Sequence, residues 1–146
     1  MRSASVIARK MDRSIARLAP ALLAEMEDEV AERGRKIGCR DPVKLHAIRK
    51  SLKKLRYAAE DMQSVFPRKK GKRFVKSARK LEKKFGRLND MASARRLLAI
   101  LGADGDAGLL PAIAAMDMWC ENREKKMMAG LEKGWRKYRE APRFWE

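Results

Sequence analysis

Apolar residues recur along the chain at intervals of three and four, the spacing that keeps one side of an α-helix dry. From about Ser3 to Ile37 they fall at Ile7, Met11, Ile15, Leu18, Leu22, Met26 and Val30, which predicts a first long helix with one dry face. Pro20 lies inside it and predicts a kink, or a short helix followed by a longer one. Gly38 and Cys39 end this element, and Asp41-Pro42 then supplies a start signal, a capping carboxylate followed by a proline where no amide donor is needed. The second helix should run from Pro42 to about Phe66, where Pro67 stops it. The basic tract Arg68 to Arg73 reads as a solvated turn.

A third helix follows, its dry side marked by Phe74, Ala78, Leu81, Phe85 and Leu88. At about 100° per residue that stripe does not continue into Met91, Ala94, Leu98 and Leu101, which lie on nearly the opposite side. Either the helix bends between Gly86 and Asp90 or its far end packs against a different neighbour. Gly102 to Gly108 is a loop by composition, and Ile113, Met116, Cys120, Met127, Leu131, Trp135 and Tyr138 outline a fourth helix. The fold class expected is all-α, a four-helix bundle of long antiparallel helices in one domain over residues 1–146, with no internal repeat.

Composition changes this picture in one respect. The 146 residues hold 36 Lys or Arg against 19 Asp or Glu, a net charge of +17 that points to a polyanionic partner. A hydrophobic fraction of 45% supports a core, and no stretch offers the roughly 20 consecutive apolar residues of a membrane span. MRSASVIARK lacks the apolar run of a signal peptide. Cys39 and Cys120 are too few and too far apart for a disulfide framework or a zinc cluster, so a soluble, unprocessed protein of the reducing cytoplasm is expected, with no metal and no cofactor.

The positive charge is patterned. On a wheel of the second helix, Leu45, Ile48, Leu52, Leu55, Ala59, Met62 and Phe66 share the core arc, and His46 lies opposite, among Arg49, Lys50, Lys53 and Tyr57, with Lys54 and Arg56 at the margins. Only Glu60 and Asp61 relieve this face, at its end. On the third helix Lys72, Lys76, Arg79, Lys80, Lys83 and Arg87 stand opposite the apolar stripe, with Asp90 completing the row. An ordinary solvated face mixes signs at i and i+4, whereas like charges at that spacing cost a few tenths of a kcal/mol per pair. Two such faces suggest a compensating ligand, and phosphate suits the donors present: Arg offers a planar fork, Lys a compact point charge, His a ring N–H.

The segments LHAIRKSLKKLRYAAE (45–60) and LEKKFGRLNDMASARRLL (81–98) resemble the CHAD family, the conserved histidine α-helical domain. The family's histidine and its following basic residues are matched by His46, Arg49, Lys53, Lys54 and Arg56, its L-R-Y ending by Leu55-Arg56-Tyr57, and its later glycine and aspartate by Gly86 and Asp90. The terminal Phe144-Trp145 is also similar. The resemblance implies binding of inorganic polyphosphate, or another phosphate-rich polyanion, in a basic channel, with metal chelation by histidines as a rival idea. It also implies two tandem repeats, of which this chain resembles the second. A homodimer would supply the missing half, weak or anion-dependent, with Met91, Leu98, Leu101, Phe144 and Trp145 expected in the contact.

Nonspecific nucleic-acid binding is the alternative, since a Lys/Arg stripe on a strongly basic chain is its electrostatic footprint too. It lacks a recognisable motif, and Phe74, Trp119 and Trp135 fall at spacings that suit packing rather than base stacking. Catalysis on a phosphoanhydride is not expected, because the basic faces contribute only Glu60 and Asp90 as carboxylates for a divalent metal and there is no G-x-x-x-x-G-K loop. A metal site from one histidine and two distant cysteines is disfavoured by the same ligand rules. Asp90 should orient a basic side chain or cap a helix where the stripe changes side. Arg123 should reach the channel, snorkel to the edge of the core or pair with Glu82.

Overall fold

The structure, a computed structural model, describes residues 2–146, with side chains described from Ser5 onward. Four long helices succeed one another, α1 (Arg2–Gly34), α2 (Pro42–Met62), α3 (Arg68–Asp104) and α4 (Leu110–Glu140), and no strand occurs among the described residues. The expected all-α bundle is therefore present. None of the described helices is long and apolar enough to cross a membrane.

Local chemistry sets the helix boundaries. Asp41 caps α2 by accepting from the Val43 amide at 3.0 Å, and Pro42 occupies the first turn, where its missing N–H costs nothing. The helix gives way after Met62 to one 3₁₀ turn, Gln63–Val65, slightly before the expected Phe66. Pro67 occupies the capping position of α3, so Arg68–Arg73 form its first turns and not the solvated turn expected from composition. The α3–α4 connection is shorter than the composition of residues 102–108 suggests: α3 runs to Asp104, and Asp106 accepts from the Gly108 amide to start a second 3₁₀ turn, Ala107–Leu109.

Neighbouring helices run antiparallel around one core, in which Leu23 and Val30 of α1 meet Ile48, Leu52 and Leu55 of α2, Phe74, Ala78 and Leu81 of α3, and Leu131 and Tyr138 of α4. Each of the large side chains contributes about 1.5–3 kcal/mol by leaving water. Gly34 of α1 lets the Trp135 ring of α4 pack tightly, since a Cβ there would lie 2.0 Å from it. Beyond α4 the chain turns back and packs Phe144 and Trp145 against Phe74 at ring-centroid distances of 5.5 and 5.0 Å. These two aromatics, expected in a subunit contact, are 4% and 6% exposed and belong to the chain's own core. Leu98 is likewise buried, whereas Leu101 is exposed.

The predicted first helix exists, but its dry face does not run its length. The buried positions are Ala19, Leu23, Glu27, Val30 and Gly34, offset by one from Leu18, Leu22 and Met26. Ile7, Met11, Ile15, Leu18 and Leu22 are all exposed. Pro20 does not divide the helix. Glu27 holds a core position because one buried carboxylate gathers three donors: Tyr138 Oη at 2.6 Å, Arg139 Nη1 at 2.6 Å and Arg143 Nη2. Burial, reinforced by the charge of Glu27 and its hydrogen bond, pushes the Tyr138 phenol well above the ordinary tyrosine value.

The stripe change on α3 resolves in favour of a new neighbour. The helix is continuous through Gly86–Asp90, and Met91, Ala94 and Leu98 face α4 alone, across from Met116, Cys120 and Met127. Residues 90–123 thus form a two-helix hairpin that overhangs the bundle. Asp90 lies within α3 and caps nothing. Of the three aromatics expected to pack, Phe74 and Trp135 do, while Trp119 is 60% exposed on the overhang.

Candidate functional site

α2 and α3 pack through their apolar stripes, and the basic residues that flank those stripes on one side wall a surface groove. Arg49, Lys53, Arg56 and Tyr57 from α2 oppose Arg79, Lys83, Arg87 and Asp90 from α3 across a stretch of about 630 Å³. Arg79 and Lys83 also line the next stretch, of about 670 Å³, with Lys72, Lys76 and Lys80. The two stretches make one basic track along α3. Gly86 sits where Arg49 crosses: a Cβ there would come within 3.9 Å of the guanidinium.

Two carboxylates in this track, Glu60 and Glu82, are already engaged. Arg56 donates from Nη1 to Glu60 at 2.9 Å and from Nε to Glu82, and Arg79 donates from Nη2 to Glu60 at 2.6 Å. Burial raises the Glu60 carboxyl, but the hydrogen bonds from Arg56 and Arg79 outweigh it and hold the group below the ordinary carboxylate value. Arg56 is penalised by burial and more than repaid by Glu82 and Glu60, so its charge is permanent. Tyr57, 49% exposed, lies under Arg56 at 4.4 Å and Lys53 at 5.7 Å and steadies both cations. Lys53, Lys76, Lys80, Lys83 and Arg87 have no ion-pair partner among the described residues. The groove therefore holds a surplus of positive charge at the surface, where water still solvates it and an anion can reach it.

The sequence-predicted residues divide into three groups. Arg49, Lys53, Arg56, Tyr57, Lys72, Lys76, Arg79, Lys80, Lys83, Arg87 and Asp90 converge on the groove. His46 is exposed but lines a separate small cavity with Arg40, Phe85, Asn89 and Glu124, and it reaches the groove only through its neighbour Arg49, which borders both. Lys50 and Lys54 are exposed on α2 outside both stretches. Arg123 neither enters the groove nor meets Glu82; it is exposed, its guanidinium 5.8 Å from the Trp119 ring, and Glu82 serves Arg56. The role of Glu82 inside the groove was missed, because its position on α3 reads as one more alternating surface charge. Lys84, next to Lys83 in sequence, is turned to α4, where Gly130 and Gly134 make room for its stem and the Gly130 carbonyl accepts from Nζ at 3.2 Å.

Two helices of an all-α bundle thus wall an open groove in which basic side chains outnumber acidic ones. The chain belongs to the CHAD family: the family model, a CHAD domain, matches residues 2–99. That family is known for polyphosphate binding in general. The match ends inside α3, yet Leu131, Tyr138 and Phe144 beyond it belong to the same core. No curated protein and no solved structure matches the chain significantly.

Proposed function

We propose that this chain binds inorganic polyphosphate along the α2–α3 groove and does so without catalysing a reaction on it. The observation that carries the reading is the line of Lys53, Lys76, Lys80, Lys83 and Arg87, lacking ion-pair partners among the described residues, beside an Arg56–Arg79–Glu60–Glu82 cluster that is internally neutralised. A flexible chain of phosphates gains from every such cation without needing a fixed shape, and Arg49 adds a planar fork beside them. Binding favours no reaction here because Glu60 and Glu82 are taken by arginines, which leaves Asp90 as the groove's remaining carboxylate.

One feature favours a second reading. Tyr57 is an exposed aromatic between cations, the combination on which single-stranded nucleic acid stacks. Competition decides between them. Labelled long-chain polyphosphate bound to the protein at fixed salt should be displaced by unlabelled polyphosphate at far lower phosphate concentration than by orthophosphate, single-stranded RNA or duplex DNA. Displacement by RNA at equal phosphate concentration would replace the polyphosphate reading with the nucleic-acid one.

A further inference from the structure

Two apolar stripes in this chain have no cover, and they lie at opposite ends of the bundle. Gly34 of α1 sits against Trp135 and Glu27 against Tyr138 and Arg139, so α1 runs antiparallel to α4 and its packed part ends near Ala19. The preceding residues project roughly 25 Å past that end, taking 1.5 Å per residue, with Ile7, Met11, Ile15 and Leu18 exposed along one side. At the other end, Leu45 and His46 near the start of α2 are level with Leu88 and Met128, so α3 beyond Asn89 and α4 before Glu124 overhang in the opposite direction. Between those two overhanging helices runs an apolar groove of about 760 Å³ walled by Met91, Leu97, Leu98, Met116, Trp119 and Met127. Leu97, Met116 and Trp119 are 62%, 56% and 60% exposed.

We infer that the projecting half of α1 seats in the α3–α4 groove of a second copy of this chain. The seat cannot be filled from within one chain, because stripe and groove point away from each other. Charge selects the partner. In a protein of net charge +17, residues 89–124 carry six Asp or Glu against three Lys or Arg, a local charge of −3. Residues 2–22 carry five Lys or Arg against one Asp, a local charge of +4. The acidic overhang thus attracts the basic α1 projection at a distance, and the two apolar surfaces then close on contact.

The same opposition makes the assembly closed. Two copies side by side and antiparallel place each α1 projection beside the other's overhang, giving a two-fold dimer with two identical seats. A helix about 10 Å wide from Val6 to Leu22 covers on the order of 250 Å² of footprint. Two seats counted on both partners give about 1,000 Å², at the low end for a specific interface, so a Kd on the order of micromolar is expected. The α2–α3 groove takes no part in these seats, so the inference stands independently of the polyphosphate reading.

Sedimentation of the full chain across a micromolar concentration series, without polyphosphate, tests this with two double variants. Met11→Glu with Ile15→Glu spoils the projection, and Met116→Glu with Trp119→Glu spoils the groove; all four positions are exposed, so helicity and thermal unfolding should stay as in the parent. The parent should dimerise, and each double variant should weaken that at least 100-fold. Mixing the two variants should restore a weaker heterodimer, because that pair alone retains one intact seat. A parent that stays monomeric through the series, a dimer indifferent to either double variant, or a mixture that fails to associate would each overturn the inference.

Discussion

Two of the places where arginine meets glutamate in this molecule behave as opposites. At Glu27 one carboxylate, buried between α1 and α4, satisfies Tyr138, Arg139 and Arg143 together, and the polar group is closed within the fold. At the α2–α3 groove Glu60 and Glu82 neutralise Arg56 and Arg79, while the cations beyond them stay open to solvent. Residues 40–88 hold 18 Lys or Arg against four Asp or Glu, a charge of +14 out of the total +17. Charge that is paired and buried ties the C-terminal turn to α1; charge that is unpaired and exposed is available to a ligand. The same two residue types close the fold in one region and, under the proposed function, serve binding in the other, and burial decides which.

The largest effect should come from breaking the closed cluster. Glu27→Ala leaves Arg143, whose side chain is 8% exposed, buried without its counter-charge and Tyr138 without its acceptor, so stability should fall by about 3–5 kcal/mol. Urea unfolding measures the loss, and polyphosphate affinity per folded molecule should stay the same. Loss of affinity in the folded fraction would mean that the two regions are not separate.

The open region should respond in the reverse way. Replacing Arg49, Lys53 and Lys83 together by Ala should weaken polyphosphate binding by roughly 100-fold at low salt, since several charge-assisted contacts of about 1.5–3 kcal/mol are partly offset by neighbouring cations. Unfolding should shift little, because none of the three lies in the core. His46→Ala should cost far less than this triple, as His46 lines a separate cavity.

The smallest change sharpens the comparison from within the groove. Glu60→Gln removes the charge that occupies Arg79, so polyphosphate affinity should rise by roughly two- to tenfold, one released cation in a partly screened site. Acid should mimic it. The folded-state pKa of Glu60 is depressed, so its stabilising contribution is complete above the ordinary carboxylate range and disappears as pH falls through the depressed value. Titrating stability from neutral pH downward should show a steeper loss in the parent than in Glu60→Gln, and equal slopes would contradict the assignment.

How much of this was legible in the sequence follows from which signals were local. Helices α2 and α3 and their core stripes were readable because Ile48, Leu52 and Leu55, and Phe74, Ala78, Leu81 and Phe85, repeat strictly and are buried as their spacing implies. Most of the groove was readable for the same reason, its cations being the complement of those stripes. The first helix misled at its buried edge, since a glutamate at position 27 disguises the Ala19–Leu23–Val30–Gly34 row, while Ile7, Met11 and Ile15 present an equally regular stripe that this chain leaves bare. Periodicity reports that a face is apolar, not what covers it. Phe144 and Trp145 were misplaced because a chain reversal after α4 depends on contacts with Phe66 and Phe74, far away in sequence. His46 drew attention as the family's marker residue, but near the start of α2 it lines a separate cavity and meets the groove only through Arg49.

The central claim, that unpaired groove cations bind polyphosphate, is tested most directly by the salt dependence of affinity in the parent and in the Arg49, Lys53 and Lys83 triple Ala variant. If several groove cations displace counterions from the polyanion, log affinity should fall steeply and linearly with log salt in the parent, and the slope should become shallower by about two to three in the triple variant. An affinity in the parent that does not change with salt, or a triple variant that keeps the parent's slope, would contradict the account.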